Sequence, residues 1–427
     1  MIPRTLSTGV AVSLLAATAS LVPTATTANG QEAAAATTSP TRYAMAASGY
    51  GTRVRGGDIP VSSDRTAFDA IGCTNRAGLG HGNSTDVDLG SLGTATAVET
   101  RVWTTSRNGT VSSYARNRIA DVTLLGATAV SPVVKLNGIE SLSRAFHDGT
   151  GFHASTSTKV ASITLDMDGS GPLLAVNVSR PTPGNSVDVG NLGLVRISVG
   201  SKTEKSSASG AIAKRDALKI TLIPTNTQIV LAHTRAEIHA GVVSGLFRGN
   251  AYGANATALD KALRLGKTPY VLMPCQGTNG KVIRNDTARV DPDNLILTGL
   301  TASERAAQSQ SRADAYTEGR VAKANLGHGV VVRAIVGRAN VHYVRGQGIT
   351  RNIKGSTFGS VTLNGTPLKF GSDDVIRIGT VLTLRRNIVQ RTPTSIEVTA
   401  LQVRVLGADV VSVNLGHAKV GVKKSGL

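Results

Sequence analysis

Four of the eight histidines occur in the sequences Leu-Gly-His or Leu-Ala-His, and imidazoles that cluster in space can bind a transition metal. No cysteine or carboxylate accompanies these four in the sequence. Three of them close apolar runs, where a polar residue commonly marks the end of a strand. We therefore expect strand ends rather than a metal site, and we predict no metal ligand. The four residues are His81, His233, His328 and His417.

Two short segments partly match ligand-binding loops. Asp166–Gly171 has carboxylates of the kind that Ca²⁺ prefers, but it lacks the third acidic position and the downstream Glu of an EF-hand loop. Gly266–Thr268 matches the end of a phosphate-binding loop, but the glycine-rich part of such a loop is missing and Pro269 follows. We interpret the first segment as a turn and expect no nucleotide at the second. No cofactor is therefore predicted.

Serine, histidine and aspartate all occur, but their spacing selects no catalytic triad, because such sites are defined by geometry rather than by order in the chain. The Gly-x-Ser-x-Gly sequence of a nucleophile elbow is also absent. We predict no catalytic residue and do not expect an enzyme.

Basic residues outnumber acidic ones by 46 to 27, and residues 250–427 alone carry 24 basic and 11 acidic residues. A protein with a net charge of +19 is attracted to anionic polymers and surfaces. Aromatic residues are only 3% of the chain, which argues against a stacking platform for bases or sugar rings. We expect diffuse, salt-dependent polyanion contact and no specific nucleic acid partner. The candidate contact residues are Arg333, Arg338, Arg345, Arg351, Lys354, Arg377, Arg385, Arg386 and Arg391.

The elements that carry these residues follow from an internal repeat. Landmarks in the first part of the chain recur 202 positions later, and after a shortening of about eighteen residues His417 matches His233 at an offset of 184. This pattern predicts a tandem duplication, with domains at residues 47–243 and 248–424. The matched landmarks are Tyr50 with Tyr252, Cys73 with Cys275, Asn83 with Asn285, Tyr114 with Tyr316, and Ile119 with Val321.

Side-chain periodicity gives the secondary structure of both copies. Short and long side chains alternate over Ala307–Val321, which is the period of a strand. The matching stretch Tyr114–Leu124 follows an Asn108-Gly109 hairpin signal, so we interpret both stretches as strands. Runs of Val, Ile and Thr with Gly-rich turns predict an all-β fold of two packed antiparallel sheets per copy. A β-solenoid is disfavoured, because no repeat of 20–30 residues occurs within a copy.

The N-terminus indicates export. A basic residue, an apolar run of about a dozen residues and a small-residue exit predict a signal peptide at residues 1–28. Residues 29–46 are rich in Ala, Thr and Ser without periodicity, and we interpret them as a flexible leader. No later apolar run reaches the roughly 20 residues of a membrane span. We expect an extracellular protein that is released or held non-covalently at the cell wall.

Export makes the two cysteines informative. An oxidising compartment permits a disulfide between Cys73 and Cys275, and such a bridge would join the two copies if equivalent residues meet on a twofold axis. Alternatively, each cysteine is a buried small hydrophobic residue that was copied with the rest of the unit. The sequence leaves both alternatives open.

Six segments of the two copies carry hydrophobic patterns: Ile119–Gly126, Val321–Gly327, Ser356–Phe358, Val361–Gly365, Val398–Val403 and Val411–Val422. These patterns resemble those of the bacterial "choice-of-anchor P" proteins. The resemblance implies a secreted, β-rich surface protein whose relatives vary in how they are anchored, and it carries no catalytic residues. We therefore expect a secreted, non-enzymatic structural or interaction protein of the cell surface. The alternative is a basic binding module for an anionic cell-wall polymer or another extracellular polyanion.

Overall fold

The computed structural model describes residues 38–55, 65–89, 92–124, 133–166, 175–177, 186–189, 195–223, 226–258, 264–290, 295–327, 329–380, 382–405 and 411–427. The predicted signal peptide, most of the acidic loop Asp166–Gly171, and His328 lie outside these residues. Within the described ranges the regular elements are β-strands, and no helix there could cross a membrane. The predicted all-β class is thus confirmed.

The first half of the described chain contains strands β1 to β14. Their bounds are β1 (Ser39–Arg55), β2 (Asp69–Ala77), β3 (Gly80–Asp88), β4 (Gly93–Arg107), β5 (Thr110–Leu124), β6 (Val133–His147), β7 (Phe152–Lys159), β8 (Ser162–Asp166), β9 (Ala175–Asn177), β10 (Ser186–Val189), β11 (Val195–Val199), β12 (Lys202–Ser207), β13 (Gly210–Leu222) and β14 (Thr227–His239).

The second half contains strands β15 to β27. Their bounds are β15 (Gly245–Ala258), β16 (Arg264–Leu272), β17 (Ile283–Val290), β18 (Ile296–Gln308), β19 (Arg312–Asn325), β20 (Val330–Val344), β21 (Gly348–Asn352), β22 (Thr357–Leu363), β23 (Thr366–Leu368), β24 (Val375–Ile378), β25 (Leu382–Thr392), β26 (Ser395–Val405) and β27 (Val411–Lys424).

These strands form four antiparallel sheets, two in each half. Sheet I has the order β10-β11-β13-β14-β1-β2, with β12 also beside β13, and sheet II has the order β3-β4-β5-β6-β8-β9, with β7 beside β6. Sheet III has the order β24-β25-β26-β27-β15-β16, and sheet IV has the order β17-β18-β19-β20-β22-β23, with β21 beside β20. The two halves therefore share one strand order, in which β25 takes the place of both β11 and β12. This shared order supports the duplication, which stays a prediction.

Each half buries its core between its two sheets. In the first half, Ile119 of sheet II and Leu231 of sheet I belong to one cluster of buried apolar side chains. In the second half, Val332 of sheet IV and Leu415 of sheet III do the same. Full burial of one such side chain contributes roughly 1.5–3 kcal/mol relative to its exposure. The alternating pattern of the strands therefore places one face of each sheet in a core and the other face outward.

The sequence predicted a single strand over Ala307–Val321, but the structure divides this stretch between two strands. Strand β18 ends at Gln308 and β19 begins at Arg312, with Ser309 N donating to the carbonyl of Arg312 at 2.7 Å. The two faces exchange at this tight turn, because Gln308 lies opposite Ala313 and Ala307 lies opposite Asp314, so the alternation predicts faces only within each strand. Tyr114–Leu124, in contrast, lies wholly within β5, as predicted.

The predicted leader at residues 29–46 is wrong from Ser39 onward. Strand β1 begins at Ser39, and its Ala44 and Met45 are 1% and 0% exposed. Small residues can pack closely inside a sheet, so their abundance did not indicate flexibility here. The second half also begins earlier than predicted, since β15 starts at Gly245 rather than near residue 248.

The two halves belong to one compact unit, Thr38–Leu427, and meet through equivalent residues. Cys73 and Cys275 form a disulfide with their Cα atoms 5.3 Å apart, so the alternative of two separate thiols is wrong. Ala44 and Leu246, which are also 202 positions apart, share a small apolar cluster beside Cys275. Contact between equivalent residues is what a twofold arrangement of the halves produces.

Candidate functional site

The outward face of sheet IV, across β17 to β20, is rich in basic residues. Side chains that lie opposite each other in adjacent strands share a face. Thr298, Lys323 and Arg333 form one such row, and Arg305 and Tyr316 belong to another. The face carries eight basic residues, Arg284, Arg289, Arg305, Arg312, Arg320, Lys323, Arg333 and Arg338, and three acidic residues, Asp286, Asp314 and Glu318.

Some of these charges form an internal network. The guanidinium carbon of Arg338 lies 3.8 Å from the centre of the Tyr316 ring. Glu318, whose side chain is 6% exposed, accepts hydrogen bonds from Arg320 Nε at 2.5 Å and from Arg338 at 3.3 Å. The ring and the carboxylate hold the two guanidinium groups in place on the sheet. Hydrogen bonding to Glu318 also raises the pKa of Arg320, which therefore stays charged.

Two basic residues on this face, Lys323 and Arg333, have no acidic partner among the described residues. They are directly opposite each other across β19 and β20. Like charges placed directly opposite each other in a sheet destabilise it. An anion bound between the two side chains would remove that repulsion. Arg305 also faces outward, where its Nε donates to the carbonyl of Gly280 at 2.8 Å.

The outward face of sheet II repeats this arrangement in the first half. Tyr114, the equivalent of Tyr316, also lies under a guanidinium group, with Arg144 at 5.3 Å from its ring centre. This face carries seven basic residues, Arg101, Arg107, Arg116, Arg118, Lys135, Arg144 and Lys159, and four acidic residues, Asp88, Glu99, Asp121 and Glu140. Both halves therefore present a basic outer sheet.

The nine predicted contact residues do not form one surface. Only two of them lie on the basic face of sheet IV, because neighbours in sequence alternate between faces and the others belong to other strands. The two on sheet IV are Arg333 and Arg338, and Arg377 and Arg385 lie on the outward face of sheet III. Arg351, Arg386 and Arg391 lie beside the rim between sheets III and IV, and Arg345 and Lys354 lie in turns.

Several of the nine predicted contact residues form ion pairs or hydrogen bonds with other groups of the protein. Arg377 and Arg386 pair with Asp373 and Asp374, at 2.9 and 2.7 Å. Arg345 donates to the carbonyl of Leu427 at 3.0 Å. Six basic residues of the sheet IV face were not among the predicted contact residues. The alternation over Ala307–Val321 contained the signal for two of them, because it had already placed Arg312 and Arg320 on the same side as Tyr316.

A serine, an aspartate and a histidine do meet on sheet I, but not as a catalytic triad. Ser201 Oγ donates to Asp216 Oδ2 at 2.5 Å, and His233 Nδ1 lies 2.5 Å from Asp216 Oδ1. The carboxylate is thus central, whereas activation of a serine requires the imidazole in that position. His233 lies within β14 and stacks on Tyr50 with ring centres 4.5 Å apart, so its interpretation as a strand end is wrong.

The second half has the equivalent ring pair. His417 lies within β27 and stacks on Tyr252 at 4.3 Å, so it too is not a strand end. Cations approach both tyrosines, with Arg65 and Lys267 each 5.5 Å from the ring centre. Among the described residues, no three His, Cys, Asp or Glu side chains are grouped to hold a metal ion.

Comparison with family models, with curated proteins and with solved structures finds no match to this chain. The resemblance to choice-of-anchor P proteins therefore stays a prediction.

Proposed function

We propose that this protein is a secreted, non-enzymatic binding protein that holds an anionic extracellular polymer on the outer faces of sheets II and IV. The observation that carries the proposal is the charge of these faces. The sheet IV face has eight basic and three acidic residues, and the sheet II face has seven basic and four acidic residues. Because the charges follow parallel rows across several strands, an extended polymer fits them better than a small ion does.

A binding role also agrees with the local chemistry. Ser201, which meets Asp216 and His233 on sheet I, donates its hydrogen bond to a carboxylate rather than to an imidazole. The disulfide between Cys73 and Cys275 agrees with the predicted export, because oxidising compartments preserve such bonds. We further propose that the mature protein stays at the cell surface through these electrostatic contacts.

The test measures binding of polyphosphate to the mature protein over a range of salt concentrations. We expect affinity to fall steeply with salt, because screening and counterion release dominate contacts between exposed charges. The charge reversals Lys323→Glu and Arg333→Glu together should weaken binding about tenfold or more. Affinity that does not change between low salt and about 1 M salt would overturn the proposal.

A matched control changes the same net charge on another face. Arg385 and Arg404 are exposed on the outward face of sheet III, so reversing both tests charge without touching sheet IV. We expect this pair to weaken binding much less than the sheet IV pair. Equal losses would contradict the assignment to sheet IV. Binding of duplex DNA much tighter than binding of polyphosphate would also contradict the proposal, since the protein would then select nucleic acid.

A further inference from the structure

A ladder of flat side chains crosses four strands on the outward face of sheet II. Trp103 stacks on Tyr114 with ring centres 4.8 Å apart and planes 6° apart. Arg144 lies 5.3 Å from the centre of Tyr114 and 3.9 Å from that of Phe146, which in turn stacks on His153 at 4.9 Å. The low aromatic content led us to expect no stacking platform, yet folding has gathered three aromatic rings here.

The ladder ends at Trp103. Tyr114 covers one face of the indole, whereas the residue opposite Trp103 on its other side, in edge strand β3, is Gly80. The next outward position of β3 is Gly82, so β3 has no side chain on this face at either place. Trp103 is only partly buried in the described structure. A flat ligand can therefore lie over Gly80 against the side of the ring that faces away from Tyr114, beside the Arg101 stem that lies next to Gly82.

Two guanidinium groups lie beside this ring pair. Arg101 and Arg116 face each other across β4 and β5, one outward position from Trp103 and Tyr114, or about 7 Å along the strands. The Arg101 side chain is 62% exposed and pairs with Glu99. Arg116 has no acidic partner among the described residues. A ring that stacks on Trp103 from the β3 side would thus place a carboxylate substituent beside Arg101, with Arg116 behind it on the next strand.

We propose that the surface formed by Trp103, Gly80, Gly82, Arg101 and Arg116 binds a sugar unit of a carboxylated polysaccharide. The indole face stacks on the sugar ring, as aromatic rings do with flat apolar surfaces, and the arginines bind the carboxylate. This inference rests on the proposed function and names the class of polymer. It applies to the first half alone, because the position equivalent to Trp103 is Arg305 and the position equivalent to Gly80 is Val282.

The experiment compares polygalacturonate, a polyanion built of sugar rings, with polyphosphate, a polyanion that has none. Trp103 is the only tryptophan of the chain, so its fluorescence reports on this surface alone. We expect polygalacturonate to change the emission and polyphosphate to leave it nearly unchanged. Trp103→Leu should weaken polygalacturonate binding about tenfold, since loss of an aromatic anchor commonly costs at least the 1.4 kcal/mol that corresponds to that factor. It should leave polyphosphate binding unchanged.

Arg305→Leu is the matched control, because it changes the equivalent position of the second half. It removes one charge and should weaken both polymers slightly and to the same extent. If both polymers bind equally and Trp103→Leu alters neither affinity, the sugar site is wrong while polyanion binding stands. If neither polymer binds, the proposed function fails and this inference fails with it.

Discussion

Glu304 is a buried carboxyl at a position where the first half has an apolar side chain. Its equivalent in the first half is Val102, which packs in an apolar cluster with Ile71 and Ala115. Glu304 is only 1% exposed, and its Oε2 has no hydrogen-bond partner. Burial raises the pKa of Glu304 to about 7, because a charged carboxylate loses its hydration there.

This pKa predicts a pH dependence of stability. Below about pH 4.5 the carboxyl is protonated in both the folded and the unfolded chain. As pH rises to about 7 the unfolded chain ionises first, so the free energy of unfolding falls, by roughly 3 kcal/mol in all. Glu304→Gln should remove this fall, which urea unfolding at several pH values measures. A variant whose stability differs from wild type by the same amount at pH 4.5 and pH 8 would contradict this explanation.

His417 should produce the opposite trend. Burial, with help from Lys267 and Lys419, lowers the pKa of His417 to about 4 despite the carboxylate of Glu397 at 3.7 Å. The unfolded chain therefore takes up a proton first as pH falls from about 6.5 to about 4, and stability falls by roughly 3 kcal/mol. His417→Phe keeps a ring against Tyr252 and removes this loss.

The two trends oppose each other between about pH 4.5 and pH 6.5. The wild-type profile should therefore be flatter in that range than the profile of either single variant. Glu304→Gln alone should become sensitive to acid, and His417→Phe alone should lose stability as pH rises. If stability changes with pH at the same slope in all three proteins, the pH dependence does not come from Glu304 and His417.

At the scale of the elements, the two sandwiches differ in how closely their sheets approach. Gly337 of β20 lies against Gly416 of β27, and a Cβ added at Gly337 would overlap the Gly416 carbonyl oxygen. In the first half the equivalent residue is Ser141 of β6, whose hydroxyl donates to the carbonyl of Ala232 at 2.6 Å. The second half replaces a side-chain hydrogen bond between its sheets with direct backbone contact.

Gly337→Ala should therefore destabilise the protein by about 3 kcal/mol or more, because neither backbone can move without disturbing a sheet. The control is Gly266→Ala in β16, since a Cβ there meets no atom within 4 Å. Thermal unfolding compares the two variants with wild type. A Gly337 variant as stable as the Gly266 variant would show that the sheets can separate at little cost.

At the scale of the whole molecule, the disulfide and hydrogen bonds to the segment between the halves hold the two halves in one relative position. Gln308 Oε1 accepts hydrogen bonds from the backbone N–H groups of Val243, Ser244 and Gly245, each at 3.0 Å. Asn75 donates to the carbonyl of Ser425 at 2.9 Å, which joins the end of the second half to the first half. These contacts and the disulfide all lie where the halves meet.

Removing the disulfide should lower stability substantially. The bridge spans 202 residues, and a loop of that length restricts the unfolded chain by up to roughly 5 kcal/mol. Cys73→Ser with Cys275→Ser should therefore unfold at lower denaturant concentration, and wild type treated with reductant should match it. Two titratable thiols in denatured, unreduced wild type would refute the bridge.

The sequence by itself determined the local properties of this protein. Period-two alternation predicted the strands, because successive side chains of a strand point to opposite faces whatever surrounds them. The Asn108-Gly109 signal predicted a hairpin turn, and both residues have the positive φ that such a turn requires, 49° and 76°. An offset of 202, reduced to 184 in the last part of the chain, predicted which strands of the two halves correspond.

Only the tertiary structure decided which residues come together. Sheet order and register depend on pairings between strands that are far apart in the chain, and no local pattern encodes them. The predicted basic set was therefore scattered over several surfaces, while Arg305, Lys323 and Arg333 share one. For the same reason, the sequence could not choose between a bridge and two thiols for Cys73 and Cys275, because that depends on how the two folded halves pack.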